Sequence, residues 1–103
     1  MRGVELDMVA LAAFCRRWKI DELSLFGSAV RGELRPDSDL DFLASFARDA
    51  EWSLFDHVRM EDELSGIVGR DVDIVSKRAV EASHNPVRRR DILGSAERVY
   101  GER

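Results

Sequence analysis

Three short stretches with alternating apolar and polar residues, 22–26, 39–44 and 71–75, constrain this chain most. Only an extended strand sends every second side chain to one face. In the second stretch Asp39, Asp41 and Leu43 share one face, and Leu40, Phe42 and Ala44 share the other, which is the set that belongs in a core. Helical patterns separate and flank these strands. Val4, Met8, Leu11, Cys15 and Trp18 recur at spacings of four and three, one face of a helix over 4–18. A second helix is predicted over 52–68 with a split stripe: Leu54, Phe55 and Val58 face one way, while Met60, Leu64 and Ile67 lie well round the axis. That pattern asks for two packing surfaces or a kink. Gly69 suits its C-terminal cap. A last helix is predicted over 86–100, with Pro86 in its first turn, Asn85 or Ser83 as cap, and Val87, Ile92, Val99 and Tyr100 among its apolar contacts.

The order helix, strand, strand, helix, strand, helix implies an α/β (α+β) layer structure, a small mixed sheet of three to four strands flanked by helices. A length of 103 residues fits one domain over 1–103. No apolar run approaches the roughly 20 residues that cross a bilayer, and 1–5 lack the apolar stretch of a secretory signal, so the expected address is the cytoplasm. Cys15, the single cysteine, lies among Ala13, Phe14 and Trp18 and reads as a packed thiol. Trp18, Trp52 and Phe55 read as core rather than as a stacking platform.

A net charge of −4 argues against holding long nucleic acid by the whole surface, which relies on many Lys and Arg contacts to phosphate. An acidic protein can instead hold phosphates through divalent ions bound by carboxylates. Asp39 and Asp41 leave the same strand face about 6.6 to 6.8 Å apart at Cα. Asp73 can complete a three-acid cluster if its strand neighbours theirs. Such hard oxygen ligands select Mg²⁺ or Mn²⁺ over zinc, for which Cys15, His57 and His84 have no ligand spacing. Two such ions are a known device for in-line substitution at phosphorus. Gly27-Ser28, at the end of the first strand, would present backbone N–H groups and a hydroxyl to an anion. Taken alone, an Asp-x-Asp decorates an edge strand and a Gly-Ser is an ordinary turn. Together they depart from strand propensity at two neighbouring places, as functional sites do.

Gly27-Ser28, ten residues, then Asp39-x-Asp41, within Gly-Ser-Ala-Val-Arg-Gly and Ser-Asp-Leu-Asp-Phe-Leu, resembles the motif of the DNA polymerase beta-like nucleotidyltransferase superfamily. Within it the chain resembles the minimal nucleotidyltransferases. Residues 69–75 are similar to the family's third-carboxylate strand, and 92–100 to its closing helix. The resemblance implies that Gly27 and Ser28 hold the triphosphate of ATP and that Asp39 and Asp41 ligate two Mg²⁺ ions. Asp73 would help ligate the catalytic ion and orient or deprotonate the acceptor hydroxyl. The implied reaction transfers AMP with loss of pyrophosphate. Arg31, preceded by Val30 where the family often has Ala, could reach a phosphate or pair with Glu33 or the aspartates. Asp71 shares Asp73's predicted face, though the apolar flanks and the match favour Asp73.

Minimal nucleotidyltransferases are frequently antitoxin partners of HEPN-domain toxins, which they neutralise by binding and by adenylylating a toxin tyrosine. A chain without a substrate domain of its own suits an acceptor carried by another protein. The alternatives are transfer to a small hydroxylated molecule such as an aminoglycoside, and a non-catalytic antitoxin. The split-stripe helix over 52–68 is the expected interface, in a homo- or hetero-oligomer. Arg88, Arg89 and Arg90 read as a solvated face or as contacts to an acidic partner.

Overall fold

The computed structural model describes residues 6–33, 35 and 37–101. In chain order the elements are α1 (Met8–Arg17), β1 (Ile20–Phe26), α2 (Ser28–Arg31), β2 (Leu40–Phe46), α3 (Leu54–Val68), β3 (Val72–Ser76), α4 (Lys77–Glu81), α5 (Pro86–Ser95) and β4 (Glu97–Gly101). The strands form one sheet in the order β3-β2-β1-β4. β2 and β3 run parallel, and β1 is antiparallel to both β2 and β4. This is the mixed sheet flanked by helices that the alternating segments imply. Among the described residues no helix is long and apolar enough to cross a membrane.

Alternation along the strands sorts side chains between two cores of unequal size. Leu23, Leu25, Leu40, Phe42, Ala44 and Ile74 meet Leu11, Phe14 and Cys15 of α1 and Met60 and Leu64 of α3 in the larger one. The opposite face is covered as well: Phe26 and Leu43 pack with Val80 of α4 and Ile92 of α5. Leu43 therefore shares a face with the acids and is nonetheless buried. Phe42 is fully buried in the larger core, so Phe42→Ala is expected to cost about 3–5 kcal/mol. That is a large part of the roughly 5–15 kcal/mol that holds a domain folded. Urea denaturation would show it as a lower midpoint at an unchanged slope.

α1 starts at Met8 because the Asp7 carboxylate accepts from the amides of Val9 and Ala10, each at 3.1 Å. The buried stripe accordingly runs through Leu11, Phe14 and Cys15. Met8 is half exposed, and Val4 lies outside the described residues. Burial pushes the Cys15 thiol up to about 12, the signature of a packed, inert sulfur.

α3 is opened by a capping box between Ser53 and Asp56. Hydrogen bonds from Ser53 hold the Asp56 carboxyl below its ordinary value. Of the two apolar surfaces expected of this helix, only the one with Met60 and Leu64 is buried. Leu54 and Phe55 are 81% and 82% exposed, and Val58 is 50% exposed. Phe55 is thus no core residue. Trp18 and Trp52 do meet, edge to face, with ring centroids 5.2 Å apart.

The last helix is shorter than the sequence pattern suggests. Asn85 caps it, accepting from the Arg88 amide at 3.0 Å, and Pro86 opens it, but it ends at Ser95. Residues 97–101 extend as β4, pairing Leu25 with Glu97 and Leu23 with Tyr100. Gly94 weakens the helix before this point, Val99 and Tyr100 are good strand formers, and the ladder along β1 satisfies backbone groups that would otherwise lie open. At the far edge of the sheet, Glu61 of α3 accepts from the Ile74 amide of β3 at 2.7 Å. A side chain there does what a fifth strand would do.

Candidate active site

Three strand ends meet at one edge of the sheet. β1 finishes at Phe26, β2 begins at Leu40 and β3 begins at Val72. Asp41 stands opposite Phe26 in the antiparallel ladder and opposite Asp73 in the parallel one. Neighbouring strands lie about 4.8 Å apart, so the carboxylates of Asp41 and Asp73 leave the same sheet face side by side. Asp39 directly precedes β2 and is exposed, as is Asp73, while Asp41 is half-buried. Asp71 precedes β3, and its backbone carbonyl accepts from the Leu40 amide at 3.0 Å. The register thus puts Asp73, not Asp71, opposite Asp41.

The electrostatics follow from this placement. Burial raises the Asp41 carboxyl above its ordinary value, the charges of Asp73 and Asp39 raise it further, and Arg31 opposes them. Asp73 and Asp39 therefore both lie within reach of the Asp41 charge. As they stand, no three carboxylate, imidazole or thiol groups among the described residues form a ready ion cage. The donor set is that of a hard divalent cation, and the mutual repulsion at Asp41 is what such a cation would relieve.

Gly27 belongs to this cluster for a steric reason. Its φ of 78° with ψ of −142° is a conformation that side chains disfavour. A Cβ placed on it would come 2.7 Å from Oδ2 of Asp41. The bare glycine therefore both makes the turn and leaves room for the carboxylate. Its carbonyl accepts from the amides of Val30 and Arg31 at 3.1 Å each, starting α2 at Ser28. The first amides of that turn have no partner within the helix. Arg31 pairs with Glu33 at 3.1 Å and approaches Asp91 of α5 at 4.0 Å. The pairing with Glu33 is one of the three fates its sequence position left open, and Asp91 was legible from no local pattern.

Other singled-out residues lie elsewhere. His57 pairs with Glu61 at 3.3 Å, and His84 is exposed. Arg88 and Arg90 are exposed, whereas Arg89 turns back to donate to the Ser83 carbonyl at 2.9 Å. A residue that sequence reasoning passed over is Arg70, whose guanidinium donates to the carbonyls of Arg35 at 3.0 Å and Ser38 at 3.1 Å. It spans more than thirty positions, so no local signal marks it.

The family model of the nucleotidyltransferase domain matches residues 8–99. The chain belongs to this family. This nucleotidyltransferase is 36% identical over 66 residues to the protein adenylyltransferase MntA of Thermococcus cleftensis, an alignment covering 64% of the chain and 65% of the relative. It is 30% identical over 76 residues to a Methanocaldococcus jannaschii protein provisionally named a protein adenylyltransferase, covering 74% and 73% respectively. Among solved structures, one provisionally named a minimal nucleotidyltransferase superimposes with a TM-score of 0.66 at 38% identity, over 87% of this chain and 86% of that one. A toxin-antitoxin structure with AMP-PNP gives a TM-score of 0.72 over 95% of this chain and 76% of that one, a likeness of fold at 21% identity. A tri-AMPylated HEPN toxin in complex with MNT antitoxin from Shewanella oneidensis gives 0.62 at 18% identity, over 92% and 70%.

Proposed function

We propose that this nucleotidyltransferase transfers AMP from ATP to a hydroxyl, a tyrosine of a HEPN-domain toxin, and so acts as that toxin's antitoxin. The observation that carries this reading is the placement of Asp41 between Asp73 and Gly27, with Asp39 leading into the same strand. The names of its relatives, protein adenylyltransferases, support the reaction. The AMPylated toxin held by a structural neighbour supports the acceptor.

In this reading Asp39, Asp41 and Asp73 hold Mg²⁺, or Mn²⁺ in its place, two ions in all. Bound cations would sharpen the acceptor oxygen as a nucleophile and offset charge on the departing pyrophosphate. Gly27 and the amides that open α2 receive the triphosphate, with the Ser28 hydroxyl and Arg31 as further donors. The acceptor oxygen attacks the α-phosphorus, and the bond from that phosphorus to the bridging oxygen of the β-phosphate breaks. Pyrophosphate leaves with the electron pair. Asp73 aligns the acceptor hydroxyl and takes its proton.

The exposed surface of Leu54, Phe55 and Val58 on α3 is assigned to the toxin, because apolar side chains this open gain most from being covered by a partner. Phe55→Asp is expected to weaken association with the toxin by at least about tenfold in a titration while leaving the melting temperature unchanged. Equal affinity in the variant would remove this surface from the account.

Co-expression with a HEPN-domain toxin tests the function. Intact-mass analysis should show additions of AMP on the toxin, mapped to tyrosine by fragmentation, and Asp39→Ala with Asp41→Ala should abolish both the additions and the rescue of growth. Rescue by the double variant without any addition would instead establish a non-catalytic antitoxin.

A further inference from the structure

Of the three acids, Asp39 is the one whose backbone lies outside the sheet ladder. Asp41 and Asp73 are fixed in paired strands, and Asp41 also packs against Gly27. Asp39 follows a turn that closes on itself: the Arg35 amide donates to Oγ of Ser38 and the Ser38 amide to the Arg35 carbonyl, both at 3.0 Å. From outside, that turn is held by Arg70. Its Nη1 donates to the Arg35 carbonyl at 3.0 Å and to the Ser38 carbonyl at 3.1 Å. Next to it, the Asp71 carbonyl accepts from the Leu40 amide at 3.0 Å. Asp39 is therefore bracketed, on its N-terminal side through Ser38 and on its C-terminal side through Leu40. Both holding groups come from consecutive residues that lead into β3, the strand of Asp73.

Arg70 is itself well anchored. It follows the left-handed Gly69 cap of α3, at φ 80°, and its own carbonyl accepts from Oγ of Ser65 at 2.9 Å. One nitrogen donating to two carbonyls is a task for a rigid, permanently charged guanidinium. Its charge faces backbone carbonyls one and four residues before Asp39, and its hydrogen bonds go to the turn rather than to any carboxylate.

We infer that Arg70 is a positioning residue: by tying the turn before Asp39 to the entrance of β3, it sets Asp39 in register with Asp41 and Asp73. The inference rests on the reading of these acids as the cation site. Groups that orient metal ligands in this way contribute about ten- to a hundredfold to metal affinity.

The test is a titration of the whole protein with Mn²⁺ alone, followed by electron paramagnetic resonance, on wild type, Arg70→Ala, Arg70→Lys, Asp39→Asn and the double variant Arg70→Ala with Asp39→Asn. Arg70→Ala is expected to weaken Mn²⁺ binding about tenfold, and Arg70→Lys to recover part of the loss, with unchanged circular dichroism. In the Asp39→Asn background, Arg70→Ala should add little, because the residue it positions is already gone. In turnover assays kcat should fall in Arg70→Ala while KM for ATP stays within about twofold. Wild-type Mn²⁺ affinity in Arg70→Ala, or losses that add fully in the double variant, would overturn the inference. So would a raised KM for ATP at unchanged Mn²⁺ affinity, which would make Arg70 a phosphate ligand. If wild type binds no Mn²⁺ and Asp39→Asn changes nothing, it is the cation site that fails, and the inference falls with it. Should Arg70→Ala not fold, Arg70→Lys carries the same comparison with a smaller expected loss.

Discussion

Asp41→Asn is expected to lower nucleotidyl transfer by about a thousandfold, a loss of several kcal/mol of transition-state stabilisation, and to stabilise the metal-free fold at the same time. The two effects have one cause. Burial and the charges of Asp73 and Asp39 raise the Asp41 carboxyl above its ordinary value, so ionising it costs more in the folded chain than in the unfolded one. Below the unfolded value the carboxyl is neutral in both states and nothing is lost. As pH rises through the interval between the unfolded value and the raised folded one, stability falls, and it stays lower above that interval. Asparagine has the same shape, carries no charge and can donate to its acidic neighbours. Thermal unfolding without added metal should therefore show the variant melting a few degrees higher than wild type at neutral pH, with the difference vanishing at a pH below the carboxylate range. Mg²⁺ should raise the melting temperature of wild type and leave that of the variant nearly unmoved. A variant less stable than wild type at neutral pH would contradict the electrostatic account of the site.

Gly27→Ala is expected to damage both fold and activity, although it adds one methyl group. The backbone there, φ 78° and ψ −142°, costs a residue with a side chain about 1–3 kcal/mol. The new Cβ would lie 2.7 Å from Oδ2 of Asp41. Either the turn shifts or the carboxylate rotates out of the cluster, and each outcome removes a group that the proposed chemistry uses. Transfer should fall by about a hundredfold or more, since a displacement of about 1 Å at a reacting centre already has that effect. The steric part can be isolated. In an Asp41→Ala background the facing oxygen is gone, so Gly27→Ala should destabilise by less than it does in wild type, a non-additivity readable by urea denaturation.

The strands and helices that a local pattern specifies were legible in the sequence. The alternation of Leu23, Leu25, Leu40, Phe42 and Ile74 identifies the residues that fill the larger core. Asp7 was hidden by an apolar spacing that continues back to Val4. β4 was not legible because pairing with β1 is a tertiary event: Val99 and Tyr100 fit a helical stripe as well as a strand, and only the adjacent edge decides between them. α4 follows β3 without a break, its cap being Ser76, the last residue of the strand, so no turn signal announces it. At the site, Gly27, Asp39 and Asp41 stand close enough in sequence to be read together. Asp73 needed the neighbouring of β2 and β3, which alternation allows but does not impose. The contributions of Glu61 and Arg70 span 13 residues in one case and 32 and 35 in the other, and depend on backbone groups, which every sequence has.

In the proposed reaction the cluster of Asp39, Asp41 and Asp73 beside Gly27 moves a nucleotide. The most direct measurement follows label from ATP carrying it at the α-phosphorus, and in parallel at the γ-phosphorus, onto a HEPN-domain toxin in the presence of Mg²⁺. Label should pass from the α-position alone, and it should be lost in Asp39→Asn, Asp41→Asn and Asp73→Asn. Transfer from the γ-position, or α-label transfer that survives all three substitutions together, would contradict the account.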